Sequence, residues 1–317
     1  MSTDLFTFGE SLSVLISSDT DSVMSATKFE RVTAGAEVNV AVALSRLGLK
    51  AQYFSRFGND QLGSVMLADI EAEGVDVSLA KRVDSFTGAM VRNPGKSAPV
   101  EISYLRKGSA ASTIEPSDIL DSYISSTRWL HATGITCAIS ESGAKTVKHA
   151  LEKAAQLKIK SSFDLNIRRK LWSEDAARKV LEPLARDVEL LIGGEDEYQV
   201  VFGQVEPKQI LAEVNKRGCK IAVMTKGDQK MRFSIGGNYE EITPPKVVAV
   251  DPVGSGDAFT GGVIAGLLSG MSTTQALEQG SICGALVASM FGDWTGIPSG
   301  VAGVIDKEII QKVRGNQ

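Results

Sequence analysis

The sequence has few residues that could build a metal-held or disulfide-held scaffold. Its 317 residues include three cysteines and two histidines. Cys137, Cys219 and Cys283 lie far apart, with no CxxC pair and no histidine at ligand spacing, which argues against a zinc site or a disulfide framework. We therefore expect reduced, mostly buried thiols. We expect His131 and His149 to serve core packing and the helix surface.

Long apolar runs and clusters of positive charge are also missing. No segment has the roughly 18 uninterrupted apolar residues that a membrane span needs, and the N-terminal stretch MSTDLFTFGE lacks the basic and apolar regions of a signal peptide. The net charge is −4, and no lysine and arginine run offers a surface for a polyanion. These absences predict a cytoplasmic protein that binds neither a membrane nor a nucleic acid.

The sequence does contain an alternation of short apolar runs with segments of helical period. With 43% hydrophobic and 23% charged residues, the chain can bury a full core. Apolar runs of this length are typical of buried parallel strands, and apolar residues spaced by three and four indicate helices. The alternation predicts a doubly wound α/β sheet. The predicted strands are Leu5–Gly9, Trp129–Gly134, Lys160–Leu165, Leu190–Gly193 and Ile221–Thr225, and the predicted helices are Glu37–Leu47, Gln61–Glu73, Ser140–Leu157, Ser173–Leu184, Pro207–Lys216, Asp257–Leu268 and Thr273–Ala288.

Two stretches interrupt this rhythm, residues 11–33 and residues 82–111. Short segments within them, such as Leu12–Ile16 and Glu101–Leu105, have the pattern of antiparallel strands. We interpret the two stretches as one small β-sheet lid that is an excursion from a single domain spanning residues 1–317. Because the exposed edges of a small sheet favour association, we also expect a homodimer formed through this lid.

The segment that most strongly suggests chemistry begins at Asp251 and reads D-P-V-G-S-G-D-A-F-T-G-G before a helical stretch of small residues. Gly254 and Gly256 let the backbone pass close to a ligand, and amides at a helix N-terminus donate hydrogen bonds to phosphate. The amides of Gly254, Ser255 and Gly256 are therefore candidates for an anion hole. Asp257, in the first helical turn, could accept a proton from an attacking hydroxyl. The structural alternative is a turn in which the aspartate only caps the helix.

The complete string resembles the C-terminal signature D-x-x-G-A/S-G-D-x-F of the ribokinase (PfkB) family of carbohydrate kinases. The resemblance covers nearly the whole chain, since the segment from Ala34 to Asn39 is similar to the family's N-terminal G-G-x-x-x-N motif. It implies a ribokinase-like fold and an enzyme that phosphorylates a small sugar with ATP and Mg²⁺, with Asp257 as the base. Gly35 and Asn39 would contact the sugar. The alternative for Asn39 is a residue near a helix cap.

Within the family, the sequence is most similar to 2-keto-3-deoxygluconate kinases. This likeness implies that Tyr104, Arg106, Asn166 and Arg168 contact a sugar acid, the arginines by pairing with its carboxylate. The alternative is that both arginines form surface salt bridges. Met90 stands at a substrate position where these kinases tend to have tyrosine, so fructose and 5-keto-2-deoxygluconate stay open as substrates. The matching strings are Phe86-Thr-Gly88, Tyr104-Leu-Arg-Lys-Gly-Ser-Ala110, Thr133-Gly-Ile-Thr136 and Asp164-Leu-Asn-Ile-Arg168.

Residues 222–228 are similar to the strand and loop that close over ATP in this family. The likeness implies that Thr225, Lys226 and Gly227 bind the nucleotide, and a simple strand-ending turn is the alternative. Lys230 replaces a second glycine that usually follows, so the end of the triphosphate could be held differently.

Two further acidic positions depart from the family pattern or leave two roles open. Gly194-Glu-Asp-Glu197 stands where many relatives have N-x-x-E, which implies a nucleotide contact at Gly194 and a Mg²⁺ ion held through water by Glu197. Glu197 could equally be a solvated helix carboxylate. Asp293 matches a late acidic position that would line the nucleotide side or a monovalent-cation site, with surface solvation as the alternative.

Other classes of function fit the sequence less well. It contains no Walker A string, no protein-kinase signature set and no G-x-G-x-x-G after the first strand, as a dinucleotide-dependent oxidoreductase would require. A catalytically inactive sugar-binding regulator on the same fold is a further alternative, and the presence of Asp257 argues against it.

Overall fold

The computed structural model describes residues 3–95 and 100–297, and the chain divides into two compact units. Within the described part, the first unit contains residues 3–7 and 114–244, and the second contains residues 8–113 and 245–297. Both stretches predicted to form the lid fall within the second unit.

The described strands are short, and most predicted strands are found within two residues of their predicted ends. They are β1 (Thr3–Phe8), β2 (Leu12–Ser17), β3 (Phe29–Ala34), β4 (Ala51–Phe54), β5 (Arg56–Gly58), β6 (Lys81–Val83), β7 (Ala89–Arg92), β8 (Ile102–Leu105), β9 (Thr127–Thr133), β10 (Lys160–Asp164), β11 (Leu190–Gly194), β12 (Ile221–Thr225), β13 (Met231–Ile235) and β14 (Asn238–Ile242).

The seven predicted helices are also found within two residues of their predicted ends. In the described part of the chain the helices are α1 (Ala36–Arg46), α2 (Gln61–Ala72), α3 (Asp121–Ser125), α4 (Gly134–Ile139), α5 (Glu141–Leu157), α6 (Glu174–Leu184), α7 (Glu195–Phe202), α8 (Pro207–Lys216), α9 (Ser255–Leu268) and α10 (Thr273–Ala288). None of these helices is long and apolar enough to cross a membrane.

The first unit is built on a sheet with the strand order β14-β13-β12-β11-β10-β9-β1. Neighbouring strands from β1 to β12 run parallel, and β13 and β14 add an antiparallel pair at the end. Helices α5, α6 and α8 lie between successive parallel strands along the chain. This arrangement confirms the predicted α/β sheet flanked by helices, because parallel neighbours require crossover connections.

The second unit contains a four-stranded sheet with the order β3-β2-β7-β8, so the two interrupting stretches do form one small sheet. Strand β2 pairs antiparallel with β3 but parallel with β7, and β7 pairs antiparallel with β8. The prediction of antiparallel strands is therefore wrong for the central pair. The reason is that β2 and β7 come from separate excursions, and no hairpin joins them.

Close packing of three helices fixes the position of α9 in the second unit. A Cβ atom at Gly261 would lie 2.4 Å from the Cβ of Ala43 in α1, and one at Gly262 would lie 2.6 Å from the sulfur of Cys283 in α10. Small residues thus allow α1 and α10 to approach α9 closely. The start of α9, where the family-like motif lies, is held by this packing.

The sequence-based expectations for thiols and for His131 are confirmed. All three cysteines are free and buried, and burial raises the pKa of Cys219 and of Cys283 to about 12. His131 is fully buried in β9, and this burial lowers its pKa to about 3. The ring is therefore neutral and serves packing.

Candidate active site

The first turn of α9 has the geometry expected of an anion-binding helix start. Gly254 is the N-cap residue with φ 81° and ψ −11°, a left-handed conformation that favours glycine. A Cβ atom at Gly254 would lie 2.3 Å from the backbone oxygen of Asp293. Gly254 therefore shapes the turn and lets the segment at Asp293 approach.

Gly256 differs from Gly254, because its surroundings are open. No heavy atom lies within 4 Å of the place where its Cβ would be, and the residue is exposed. The amide of Ser255 already donates to Pro252 O at 3.3 Å, and the Ser255 hydroxyl donates to the same oxygen at 2.7 Å. Of the three predicted amides, that of Ser255 is thus partly committed within the turn, and the open backbone lies at Gly256.

Asn39 joins the two aspartates of this region. Its Nδ2 atom donates to Asp257 Oδ2 at 2.7 Å and to Asp293 Oδ2 at 3.3 Å. The Oδ1 atom of Asn39 is buried and has no hydrogen-bond partner in the described part of the protein. Because an amide nitrogen carries two hydrogens, both donors are used. Asn39 was predicted to offer the sugar both a donor and an acceptor. In this arrangement only its Oδ1 atom remains, so it can accept a hydrogen bond from a sugar hydroxyl but has no hydrogen left to donate.

Asp293 is buried, with 7% of its surface exposed, so the alternative of a solvated surface residue is wrong. Burial raises the pKa of Asp293 to about 6, the positive charge of Arg92 and the hydrogen bond from Asn39 lower it, and the charge of Asp251 raises it. Asp293 therefore changes between its protonated and ionised forms near pH 6.

Gly35 also lies in a place where the chain approaches itself. It is the N-cap residue of α1, and a Cβ atom there would lie 2.4 Å from the backbone oxygen of Glu10. The close approach that the sequence assigned to substrate is thus made by the protein's own backbone.

Arg106 is buried and paired with a carboxylate. Its Nη2 atom contacts Glu10 Oε2, and Ser109 Oγ donates to Glu10 Oε1 at 2.5 Å. The guanidinium carbon lies 5.1 Å from the ring centroid of Tyr104. The alternative of a surface arginine is therefore wrong. The Nε and Nη1 atoms of Arg106 are buried without a hydrogen-bond partner in the described residues, so two donors can still bind an acceptor.

Met90 packs in the core of the four-stranded sheet. It is 8% exposed and belongs to an apolar cluster with Leu12, Val14 and Ile16. Its register partner on β8 is Tyr104, so the two predicted substrate positions lie side by side.

Four of the predicted nucleotide residues, Gly194, Thr225, Lys226 and Gly227, lie close together in the first unit. Gly194 at the end of β11 is the register partner of Thr225 at the end of β12, and Thr225 Oγ1 donates to Gly193 O at 3.3 Å. Gly227 has φ 58°, and Lys226 forms a 2.8 Å ion pair with Glu195. These residues therefore occupy the carboxyl ends of two adjacent parallel strands, where α/β sheets bind ligands.

Lys230, which replaces the usual second glycine, forms a 2.9 Å ion pair with Glu241. This pairing links the loop after β12 to strand β14. The lysine thus has a structural contact in place of the backbone freedom that a glycine would give.

Glu197 holds a turn with both carboxylate oxygens. Oε1 accepts from the amide of Ile167 at 2.6 Å, and Oε2 accepts from the amide of Gly194 at 2.8 Å. Burial raises the pKa of Glu197, and the two backbone hydrogen bonds lower it. The alternative of a solvated helix carboxylate is wrong. The described residues contain no group of three or more His, Cys, Asp or Glu side chains that could hold a metal ion.

Asn166 and Arg168 follow β10 in the first unit. Asn166 is buried with φ 38°, and its Oδ1 atom has no hydrogen-bond partner among the described residues. Arg168 is exposed. Its neighbour Arg169 is the one that pairs with carboxylates, those of Glu174 and Asp196.

The sequence did not lead us to Glu10, which pairs with Arg106, or to Arg92, whose positive charge acts on Asp293. Glu10 follows the first strand, and Arg92 lies two residues after Met90. The two-residue period of a strand places Arg92 on the same face as Met90. This spacing could have identified Arg92 as a neighbour of the predicted substrate position Met90.

Known proteins resemble this chain over almost its whole length. The family described as pfkB family carbohydrate kinase matches residues 2–299. The chain is 32% identical over 305 residues to a 2-dehydro-3-deoxygluconokinase of Bacillus subtilis, and the match covers 94% of each protein.

Solved structures give the same result for the fold. The crystal structure of a 2-dehydro-3-deoxygluconokinase from Thermotoga maritima has a TM-score of 0.89 and 26% identity, with 99% of each chain covered. An uncharacterized sugar kinase from Pyrococcus horikoshii, solved in complex with ATP, has a TM-score of 0.83 and 23% identity, covering 98% of this chain and 99% of that one.

Proposed function

Because the chain belongs to the pfkB family of carbohydrate kinases, we propose that it transfers the terminal phosphoryl group of ATP to the terminal hydroxyl of 2-keto-3-deoxygluconate, also called 2-dehydro-3-deoxygluconate. The observation that carries this proposal is the start of α9. There the carboxylate of Asp257 is held by Asn39 at 2.7 Å, in the same turn as the open backbone of Gly256.

Phosphoryl transfer asks the protein mainly to align a hydroxyl and to stabilise charge. Asp257 would accept the proton of the attacking hydroxyl. The amides at Gly254 to Gly256, with the positive end of the helix dipole, would stabilise the oxygens of the transferred group. The described residues contain no cluster of carboxylates that could hold a metal by itself, so Mg²⁺ would be held chiefly by the phosphates of ATP, with Glu197 contributing through water. When bound, Mg²⁺ supplies further charge neutralisation.

The acidic substrate is supported by donors that lack partners. Arg106 has two buried N–H-bearing atoms without a partner in the described residues, and an unpaired buried donor is unfavourable until an acceptor arrives. Because Nε–H and Nη1 lie on different edges of the guanidinium, a substrate carboxylate would accept from one of these donors and a sugar hydroxyl could accept from the other. In the same proposal Tyr104 and Met90 line the sugar together with Asn39 and Gly35.

In the first unit, Asn166 and Arg168 would also contact the substrate. The nucleotide would bind at Gly194, Thr225, Lys226 and Gly227, with Lys226 exchanging its pairing with Glu195 for a phosphate. Asp293 would line the nucleotide side or a monovalent-cation site. A cytoplasmic location belongs to the same proposal, since ATP is the phosphoryl donor.

A homodimer through the four-stranded sheet is also proposed. Phe29 and Leu105 lie on the edge strands β3 and β8, and they are 40% and 57% exposed. Exposed apolar side chains on edge strands favour pairing with another copy. Light scattering at micromolar concentration tests this point, and a monomer would contradict it.

The kinase proposal is tested by measuring ADP release with Mg-ATP and a panel of 2-keto-3-deoxygluconate, 5-keto-2-deoxygluconate and fructose, in sodium and in potassium buffers. We expect the highest kcat/KM for 2-keto-3-deoxygluconate. Asp257→Asn should lower kcat by about 10²–10⁴ while nucleotide binding is retained, because the amide keeps the shape but takes no proton. Near-normal turnover of this variant would refute the assignment of the base.

The choice of an acid is tested with neighbouring arginines. Arg168→Lys keeps the charge but loses bidentate geometry. For the keto acid it should lower the transition-state stabilisation that kcat/KM reports by about 1–3 kcal/mol. Arg169→Lys is the matched control, because Arg169 is engaged with Glu174 and Asp196. A wild type that prefers fructose, or equal losses for keto acid and fructose, would refute the sugar-acid substrate and leave the kinase in place.

A further inference from the structure

Arg92 is a fully buried charge for which the proposed reaction has no role so far. Its side chain and that of its partner Asp251 are both 0% exposed, and Nη2 of Arg92 lies 2.5 Å from Asp251 Oδ2. The Nη1 atom donates to Asn93 O at 3.2 Å. The guanidinium carbon lies 5.7 Å from the ring centroid of Phe291.

Asp251, the partner of Arg92, organises the segment that leads into α9. Its Oδ1 atom accepts from the amide of Val253 at 3.2 Å, and its own amide donates to Ala288 O at 3.2 Å. Gly254, the N-cap of α9, follows Val253 directly. A shift of the Asp251 carboxylate would therefore move the turn that presents the backbone of Gly256.

The second contact of Arg92 reaches the other side of the same turn. Phe291 lies two residues before Asp293, whose backbone fills the space beside Gly254. Asp293 in turn shares the Asn39 amide with Asp257. One guanidinium thus contacts both segments that frame the helix start.

The negative charges around the start of α9 also call for a nearby cation such as Arg92. The network contains the carboxylates of Asp251, Asp257 and Asp293, and a phosphate would add further negative charge at the helix start. Arg92 pairs with Asp251, and its positive charge lowers the pKa of Asp293. A buried ion pair contributes little net stability compared with apolar residues of the same volume, so stability alone is a weak reason for it.

We propose that Arg92 is a positioning residue for phosphoryl transfer: a fixed buried cation that holds Asp251 and the Phe291 segment so that the helix start at Gly256 keeps its phosphate-binding shape. This inference rests on the proposed kinase function. It requires the planar guanidinium, because one group must pair with a carboxylate and lie over an aromatic ring at the same time.

The test compares Arg92→Lys and Arg92→Gly with wild type in the same ADP-release assay. We expect Arg92→Gly to lower kcat by about 10²-fold, the scale of a small misplacement of a catalytic group, with the KM for the sugar changed by less than about twofold. Added guanidinium at millimolar concentration should recover part of the lost kcat, and sodium chloride at equal ionic strength should not. Arg92→Lys should lower kcat by about tenfold.

Arg31→Gly is the matched control, since Arg31 lies on β3 of the same sheet and pairs with Asp69 at 2.7 Å. It should keep its kcat and show no response to guanidinium. A wild type that phosphorylates no sugar of the panel would refute the proposed function. An active wild type together with a folded Arg92→Lys that keeps full kcat would overturn the role of Arg92, whether or not Arg92→Gly folds. A higher KM for the sugar at unchanged kcat would also overturn the role of Arg92.

Discussion

Replacing Asp293 with asparagine should stabilise the folded protein near neutral pH. Burial raises the pKa of Asp293 from 3.8 to about 6. The folded state therefore binds this proton more tightly than the unfolded state, and stability falls as pH rises between the two values. A shift of about two pKa units corresponds to about 3 kcal/mol, since one unit is 1.36 kcal/mol. Asparagine has no charge to bury, so the variant should recover up to about this amount at pH 7.5.

The substitution leaves the surrounding contacts in place. The side-chain oxygen of the introduced asparagine could still accept from Asn39, as Asp293 Oδ2 does at 3.3 Å. Arg92 keeps its ion pair with Asp251. The difference between variant and wild type should therefore report on the ionisation of one carboxylate.

The measurement is urea unfolding of wild type and Asp293→Asn between pH 5 and pH 8. About half of the stabilisation should be present at pH 5, and the difference should level off above about pH 7. Asp84→Asn, at an exposed position of the same unit, is the control and should show a small difference. A variant that is less stable than wild type at pH 7.5, or a difference independent of pH, would refute the reasoning.

Three further substitutions separate shape from chemistry. Gly256→Ala should fold with wild-type stability, because no heavy atom lies within 4 Å of the new Cβ. A loss of turnover in this variant would therefore report on phosphate binding. Unchanged turnover and unchanged affinity for an ATP analogue would show that the phosphate binds elsewhere. Gly254→Ala should lose more than about 1 kcal/mol in urea unfolding, because its φ is 81° and a Cβ would meet Asp293. Glu197→Gln should lose about 1–3 kcal/mol of unfolding free energy, because the introduced NH2 group would face a backbone N–H and two donors cannot form a hydrogen bond. Asp196→Asn, a surface control, should change stability by less than about 0.5 kcal/mol.

Element ends were predictable where the sequence carries a stop or start signal. Pro207 opens α8 at its first position, and Ser272 caps α10 with a capping box that includes Gln275. These two helices are found at their predicted bounds, because Pro207 has no amide hydrogen to satisfy and Ser272 Oγ accepts from the amide of Gln275.

The strands β13 and β14 were not predicted, for a physical reason. They form the open end of the sheet, and their charged residues make ion pairs such as that of Lys230 with Glu241. Strand β14 has few apolar residues and gives a weak periodic signal, whereas Met231, Phe233 and Ile235 of β13 alternate with polar residues in a pattern that could have been recognised. The pair Gly236 and Gly237, both with positive φ, was the hairpin signal that could have identified them.

The site was predictable only in its local part. The motif placed Asp257 in the first turn of a helix, and the structure has it there. The hydrogen bond from Asn39 to Asp257 joins residues 218 positions apart, and the pairing of Arg92 with Asp251 spans 159 positions. Such pairings depend on the packing of α1, β7 and α9, which no local pattern encodes.

The Asn39 amide connects these long-range contacts to the proposed chemistry. A donor to a carboxylate stabilises its ionised form, which is the form of Asp257 that can accept a proton. The same nitrogen also donates to Asp293 at 3.3 Å, so two carboxylates share one amide. Repulsion between the two carboxylates favours protonation of one of them, and the positive charge of Arg92 opposes this at Asp293. Because burial raises the pKa of Asp293 to about 6, Asp293 loses its charge as the pH falls through this value, and its repulsion of Asp257 falls with it.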